Sequence, residues 1–167
     1  MIKSKENEVI YHVLMHHINH YQEAKKIFKI DYESQMILIA VYAHLIYQTM
    51  KPSVEEKKNE GLQWEEMFPV IKDLSKNKKK YKTKLSLFSV SQILDIPKES
   101  VRRKVALLCK KKYLEFSIKD GLNIGDVFEQ TAKKIAPKDL TALVKVIDCV
   151  NENGGINKLV NKLKNFK

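Results

Sequence analysis

The sequence is poor in the residues that build disulfide-stapled, fibrous or membrane-embedded chains. Among 167 residues it has two cysteines, Cys109 and Cys149. Both fall inside helical patterns, which excludes a disulfide framework or a zinc-ribbon spacing. Five glycines and four prolines are too few for a collagen-like or low-complexity chain. The longest uncharged apolar stretch, Met36 to Met50, is interrupted by His44, Gln48 and Thr49, and is too short and polar to span a bilayer. The opening residues, Met-Ile-Lys-Ser-Lys-Glu-Asn-Glu, contain no apolar segment, so no secretory leader is expected and a reducing cytoplasm is the expected compartment. Catalytic signatures are missing too. There is no glycine-rich phosphate loop, no nucleophile elbow, no His-Glu-x-x-His and no close carboxylate pair in an apolar setting, so neither an enzyme nor a cofactor is expected.

What the chain does have is positive charge in one place. The formal charge is +11. Between Lys76 and Lys112 stand thirteen basic residues against Asp95 and Glu99, an excess of eleven that equals the charge of the whole chain. The other eighteen basic and eighteen acidic residues cancel. Positive charge gathered in one segment points to a polyanionic partner, because neutralising phosphates releases their counterions. Within that segment, residues 75–84 include six lysines (Lys76, Lys78, Lys79, Lys80, Lys82 and Lys84) and read as a solvated arm.

Hydrophobic periodicity gives the rest of the organisation. Val9, Ile10, Val13, Leu14, Ile18 and Tyr21 predict a helix over 7–29. A second helix is predicted from Tyr32 to Met50, capped by Asp31 or Ser34 and ended by Pro52. It is apolar nearly all round, as expected of a helix buried on most faces by a second copy of the chain or around a small effector. Residues 51–62 read as a linker and Gln63–Leu74 as a short helix. Ser86 can cap a helix containing Leu87, Val90, Ile93 and Leu94, ending near Asp95. Asp95-Ile96-Pro97 is a tight turn, and Pro97 suits the start of the next helix, Lys98 to Lys111. That helix lays Val101, Val105 and Leu108 on one stripe, with Glu99, Arg102, Arg103, Ala106 and Lys110 opposite. Tyr113–Ile118 and Leu122–Ile124 read as strands joined by an Asp120-Gly121 turn. Helices follow at 126–135 and 138–152, separated by Pro137. A last basic amphipathic element, after Gly154-Gly155, carries Leu159, Val160, Leu163 and Phe166, and packing against the body or a partner is its expected role.

Helix, short turn, second helix and hairpin, in that order, make up a winged helix-turn-helix. The run from Leu85 to Val105 (LSLFSVSQILDIPKESVRRKV), followed by Leu108 and Tyr113-Leu114, resembles bacterial winged-helix transcriptional regulators of the GntR/MarR type over about 40 residues. The resemblance implies that Lys98, Glu99 and Arg102 face base edges, with Ser100 and Arg103 nearer the phosphates. Ser86, Lys104, Lys119 in the hairpin, and Lys79 and Lys80 in the arm complete the set assigned to DNA. Two departures stand out. Lys112 occupies the place where the family turns with glycine, and the hairpin offers Lys119 as its one basic residue.

The expected fold is therefore mainly α, a winged helix-turn-helix with a small β-hairpin. Four segments are expected: a helical N-terminal part (1–75) for dimerisation or effector binding, the basic arm (76–84), the winged segment (85–125) and C-terminal helices (126–167). The expected function is sequence-specific double-stranded DNA binding as a homodimeric transcriptional regulator, with no membrane partner. Two alternatives are an RNA- or ribosome-associated basic module and a winged-helix protein-interaction adaptor. His12, His16 and His20 recur every four residues, yet no cysteine or ligand from a second helix joins them at a recognisable spacing, so no metal is expected. Cys109 is expected to act as a small packed hydrophobe.

Overall fold

The computed structural model describes residues 5–50 and 84–164. In chain order these form α1 (Lys5–Phe28), α2 (Tyr32–Met50), α3 (Leu87–Leu94), α4 (Lys98–Lys110), β1 (Leu114–Ser117), β2 (Gly121–Ile124), α5 (Phe128–Glu152) and α6 (Gly155–Lys164). The fold is mainly helical with one small antiparallel sheet among the described residues. The expected helix at 63–74, the arm up to Lys82 and Phe166 lie outside them.

Two compact units emerge, Ile30–Thr131 in one, and Met1–Lys29 with Ala132–Lys167 in the other. The expected boundary at residue 75 lies outside the described residues. Helix α1 groups with the C-terminal helices, whereas α2 belongs with the α3–α4 pair. The reason is where apolar surface finds cover. Ile37, Leu38, Val41 and Leu45 of α2 are buried, and α2 packs on α3, α4 and β2. Most of the apolar girth assigned to a second copy or an effector is thus covered from within. Tyr32, Ile39 and Tyr47 stay exposed.

The central unit is built by local rules. The Asp31 carboxylate accepts the Ser34 N–H at 2.9 Å and starts α2. Ser86 starts α3 by accepting the Ser89 N–H at 3.0 Å. Asp95 then turns into the left-handed region (φ 51°), while the buried Ser91 hydroxyl donates to the Ile96 carbonyl at 2.7 Å. This fixes the three-residue turn into α4. Val101, Val105 and Leu108 are all at most 2% exposed, so the stripe read from spacing is the inward face. Ile93 departs from expectation. It is 61% exposed, because the two-turn helix α3 buries Val90 and Ser91 instead.

At the end of α4 the Tyr113 N–H reaches the Leu108 carbonyl at 3.0 Å and the Lys112 N–H reaches Cys109 at 2.9 Å, a Schellman ending. Lys112 holds φ 59° there, a conformation that glycine adopts without steric cost. The hairpin differs from the expected two-residue turn. Ser117 pairs with Gly121, leaving Ile118, Lys119 and Asp120 as a three-residue loop. The Ser117 hydroxyl accepts the Asp120 N–H at 2.9 Å and so closes it. Gly121 has φ 78°, and a Cβ there would lie 2.6 Å from the Leu85 carbonyl, which accepts the Leu122 N–H at 2.9 Å. Close backbone approach therefore moves the glycine out of the loop and into the strand.

In the second unit, α1 and the distal part of α5 run antiparallel, joined by His20–Asp139 (2.8 Å) and by Glu23 with Lys138. Pro137 does not separate two helices, because α5 continues through it. Pro137 is exposed, so the carbonyl one turn back that loses its N–H can be solvated, and the apolar pattern on both sides keeps one axis. Among the described residues, those buried and apolar here are Val9, Ala24, Phe28, Ile135 and Cys149. Much stays uncovered, including Ile10, Leu14 and Ile18 on α1 and Leu140, Leu143, Val144 and Ile147 on α5.

Gly121→Ala should lower unfolding stability by about 1–3 kcal/mol through the forced φ and the clash. Lys112→Gly should leave it unchanged or raise it by up to about 1 kcal/mol by relieving left-handed strain. Urea denaturation of the two variants checks both, and equal midpoints would contradict this account of the turns.

Candidate nucleic-acid interface

Helix α4 carries the candidate site. With Val101, Val105 and Leu108 inward, geometry turns Glu99, Arg102, Arg103, Ala106 and Lys110 outward, and all five are exposed. Lys98 is exposed at the helix start, its ammonium 6.0 Å from the ring centroid of Phe88 on α3. Ser100 is half-buried. Arg102 forks onto Glu99 one turn earlier, with Nε donating to Oε2 at 2.9 Å and Nη2 to Oε1 at 2.5 Å. The hydrogen bond from Arg102 holds the Glu99 carboxyl below its usual range, and Glu99 in turn raises the guanidinium pKa. Both side chains are largely open to water, so a competing anion or base edge can take the guanidinium.

Lys104 is placed differently from expectation. Its side chain is 15% exposed and turns back to Asp31 (2.5 Å) and Glu33 (3.3 Å) at the start of α2. The Asp31 bond raises the Lys104 pKa. For Asp31, burial pushes upward, but the bonds from Lys104 and Ser34 outweigh it and the net shift is downward. Lys104 therefore fixes α4 on α2 and leaves the outward face. Ser86 likewise serves as a helix cap.

Lys119 is exposed in the hairpin loop beside Ile118, which is 88% exposed. The Lys84 ammonium donates to the Ile118 carbonyl at 3.0 Å and brings a further cation to the loop. Lys79 and Lys80 lie outside the described residues. Sequence reasoning missed Phe88 and Ile118 as surface groups. Leu114 and Phe116 share one face of β1, yet they are 1% and 42% exposed, and Ile118, next in that alternation, lies in the loop at 88%. Period-two alternation identifies a face but not where the hairpin leaves the core.

The histidines do not form the i, i+4, i+8 set that their spacing suggests. His20 is bonded to Asp139, which raises its pKa against an opposing effect of burial. His12 instead shares a donor cluster with Glu8 and Cys149. Cys109 is half-buried, and burial, then Glu115, pushes its thiol upward, which disfavours a reactive thiolate. No helix among the described residues is long and apolar enough to cross a membrane. Comparisons with protein-family models, curated proteins and solved structures found no match.

Lys104→Ala should destabilise the fold by about 1 kcal/mol near neutral pH, discounted for the exposure of its partners. The contribution of Asp31 is present above its ordinary pKa of 3.8 and is lost as pH falls through the lower folded value. The contribution of Lys104 is present below 10.5 and is lost as pH rises through its raised value. The variant and parent stability curves should therefore converge at both extremes, and a constant gap from pH 2 to 7 in urea unfolding would exclude this pairing.

Proposed function

We propose that residues 84–125 form a winged helix-turn-helix that binds double-stranded DNA in a sequence-selective manner, with α4 as the recognition helix. The protein acts on this reading as a cytoplasmic, non-catalytic transcriptional regulator. The observation that carries it is the exposed cationic side of α4 (Lys98, Arg102, Arg103 and Lys110), fixed in direction by three fully covered apolar residues. A helix of this width fits a major groove, and a guanidinium can bridge two acceptors of guanine there. Lys84 and Lys119 at the hairpin, with Lys79 and Lys80 of the arm, supply backbone contacts. On this assignment Lys104 and Ser86 position the helices and do not touch DNA.

A homodimer follows from the amount of sequence that one helix can read, since two copies about 34 Å apart meet successive major grooves. The surface favoured for that pairing is not α2 but the apolar rows on α1 and α5. Leu140, Leu143, Val144 and Ile147 recur at spacings of three and one, as in a helix–helix seam, and are 44–53% exposed. Among the described residues of that unit few apolar side chains are buried, and a second copy supplies cover for the exposed rows.

Duplexes selected from a random pool should bind the protein with an affinity that falls steeply with salt. Arg102→Ala should weaken the selected sequence roughly 5- to 150-fold and relax one base position. Lys79→Ala should weaken all sequences alike and flatten the salt slope. Identical behaviour of the two variants, better competition by structured RNA, or a salt slope near zero would each refute the reading. In sedimentation equilibrium, Leu143→Asp with Ile147→Asp should convert a dimer to a monomer, whereas Tyr47→Asp on α2 should not.

A further inference from the structure

The helix α1 and the distal part of α5 bring together three side chains from two segments far apart in sequence. Glu8 and His12 stand one turn apart on α1, and Cys149 comes from α5, 137 residues further along the chain. One donor atom from each lies within 4.8 Å of the other two. A tetrahedral zinc centre with ligands about 2.0–2.3 Å away spaces its donors roughly 3.3–3.8 Å apart. Small rotations of two flexible side chains close that difference. We propose that Glu8, His12 and Cys149 bind a single divalent ion of the zinc class, with water in the fourth position.

The chemistry of the donor set selects the ion. A thiolate with an imidazole is a poor site for magnesium or calcium, and one carboxylate is too few oxygens for either. Sulfur, nitrogen and oxygen together suit zinc or cobalt(II). The surroundings of the sulfur point the same way. The Asn153 amide lies 3.5 Å from Sγ and also donates to the Cys149 carbonyl at 2.7 Å, which holds it in place to support a coordinated thiolate. His12 makes an edge-on ring contact with Tyr11 at 5.5 Å. The other histidines stay apart from this set, with His20 on Asp139 and His16 beside the rings of His17 and His20.

The ion would join the early turns of α1 to the late turns of α5, the opposite end of the helix pair from the His20–Asp139 and Glu23–Lys138 contacts. In a unit with so few buried apolar residues, a cross-link of this kind fixes the register of the two helices. The inference does not depend on the nucleic-acid reading, and its test does not involve DNA.

The full chain, kept reduced and stripped of metal, should take up one equivalent of Zn2+ in calorimetry and unfold at a higher temperature in its presence. Cobalt(II) in place of zinc should give a near-ultraviolet sulfur-to-metal charge-transfer band and the intense visible bands of a tetrahedral centre. Cys149→Ser should abolish the sulfur band and weaken Zn2+ binding at least tenfold, and His12→Ala should weaken it to a similar degree. Because Cys149 is buried, the exposed Glu8→Gln provides a second variant that keeps the core intact, and it should weaken binding severalfold while the helical circular dichroism stays unchanged. Folded protein that binds no Zn2+ at micromolar concentration overturns the proposal. So does binding that survives both Cys149→Ser and Glu8→Gln, which would place the ion on the other histidines of α1.

Discussion

The burial of one side of α4 is the constraint from which the rest of the central unit follows. Val101, Val105 and Leu108 have essentially no contact with water, and fully burying side chains of this size contributes on the order of 5–8 kcal/mol in gross transfer free energy. Exposed ion pairs such as Arg102–Glu99 or Lys26–Glu23 are too weak and too easily exchanged to compete with that. The apolar stripe therefore decides the rotation of α4 about its axis, and the charged residues take the direction left to them. A cationic surface set in this way can be held rigid in the absence of any ligand.

The elements around α4 serve that orientation. Helix α2 supplies the apolar bed and, through Asp31 and Glu33, an ionic hold on Lys104. Helix α3 is set against it by the Ser91–Ile96 hydrogen bond and the left-handed Asp95. The hairpin is tied in by the Schellman ending at Lys112 and by the Leu85 carbonyl next to Gly121. Three backbone positions of this unit take a left-handed φ, at Asp95, Lys112 and Gly121. Glycine occupies the one where a Cβ would strike backbone, and aspartate and lysine are tolerated at the two that are open to solvent.

The two units contrast in how completely they cover themselves. In the central unit Ile37, Val41, Val101, Leu108, Leu114 and Leu122 are fully inside, although Phe88, Ile93 and Ile118 stay exposed. In the unit made by α1, the distal part of α5 and α6, apolar rows remain in water, and polar pairs (His20–Asp139, Glu23 with Lys138) do much of the joining between helices. A pair of amphipathic helices cannot by itself bury both of its faces. The same shortage underlies the second-copy reading and makes a metal cross-link between α1 and α5 physically useful.

Local chemistry was readable from the residues in order. The inward stripe of α4, the Ser86 cap, the Asp95–Pro97 turn, the bounds of α2 and the hairpin all depend on interactions within a few residues, and periodicity or capping reports those directly. Pro137 and the Asp120-Gly121 pair misled, since each is a breaker signal whose outcome depends on what packs beside it. The fate of Lys104, the covering of α2, the exposure of Ile118 and the meeting of Glu8 and His12 with Cys149 were decided by the tertiary structure alone. Each is a contact between segments far apart in sequence, and no local periodicity encodes which distant group will be waiting when a side chain reaches its place.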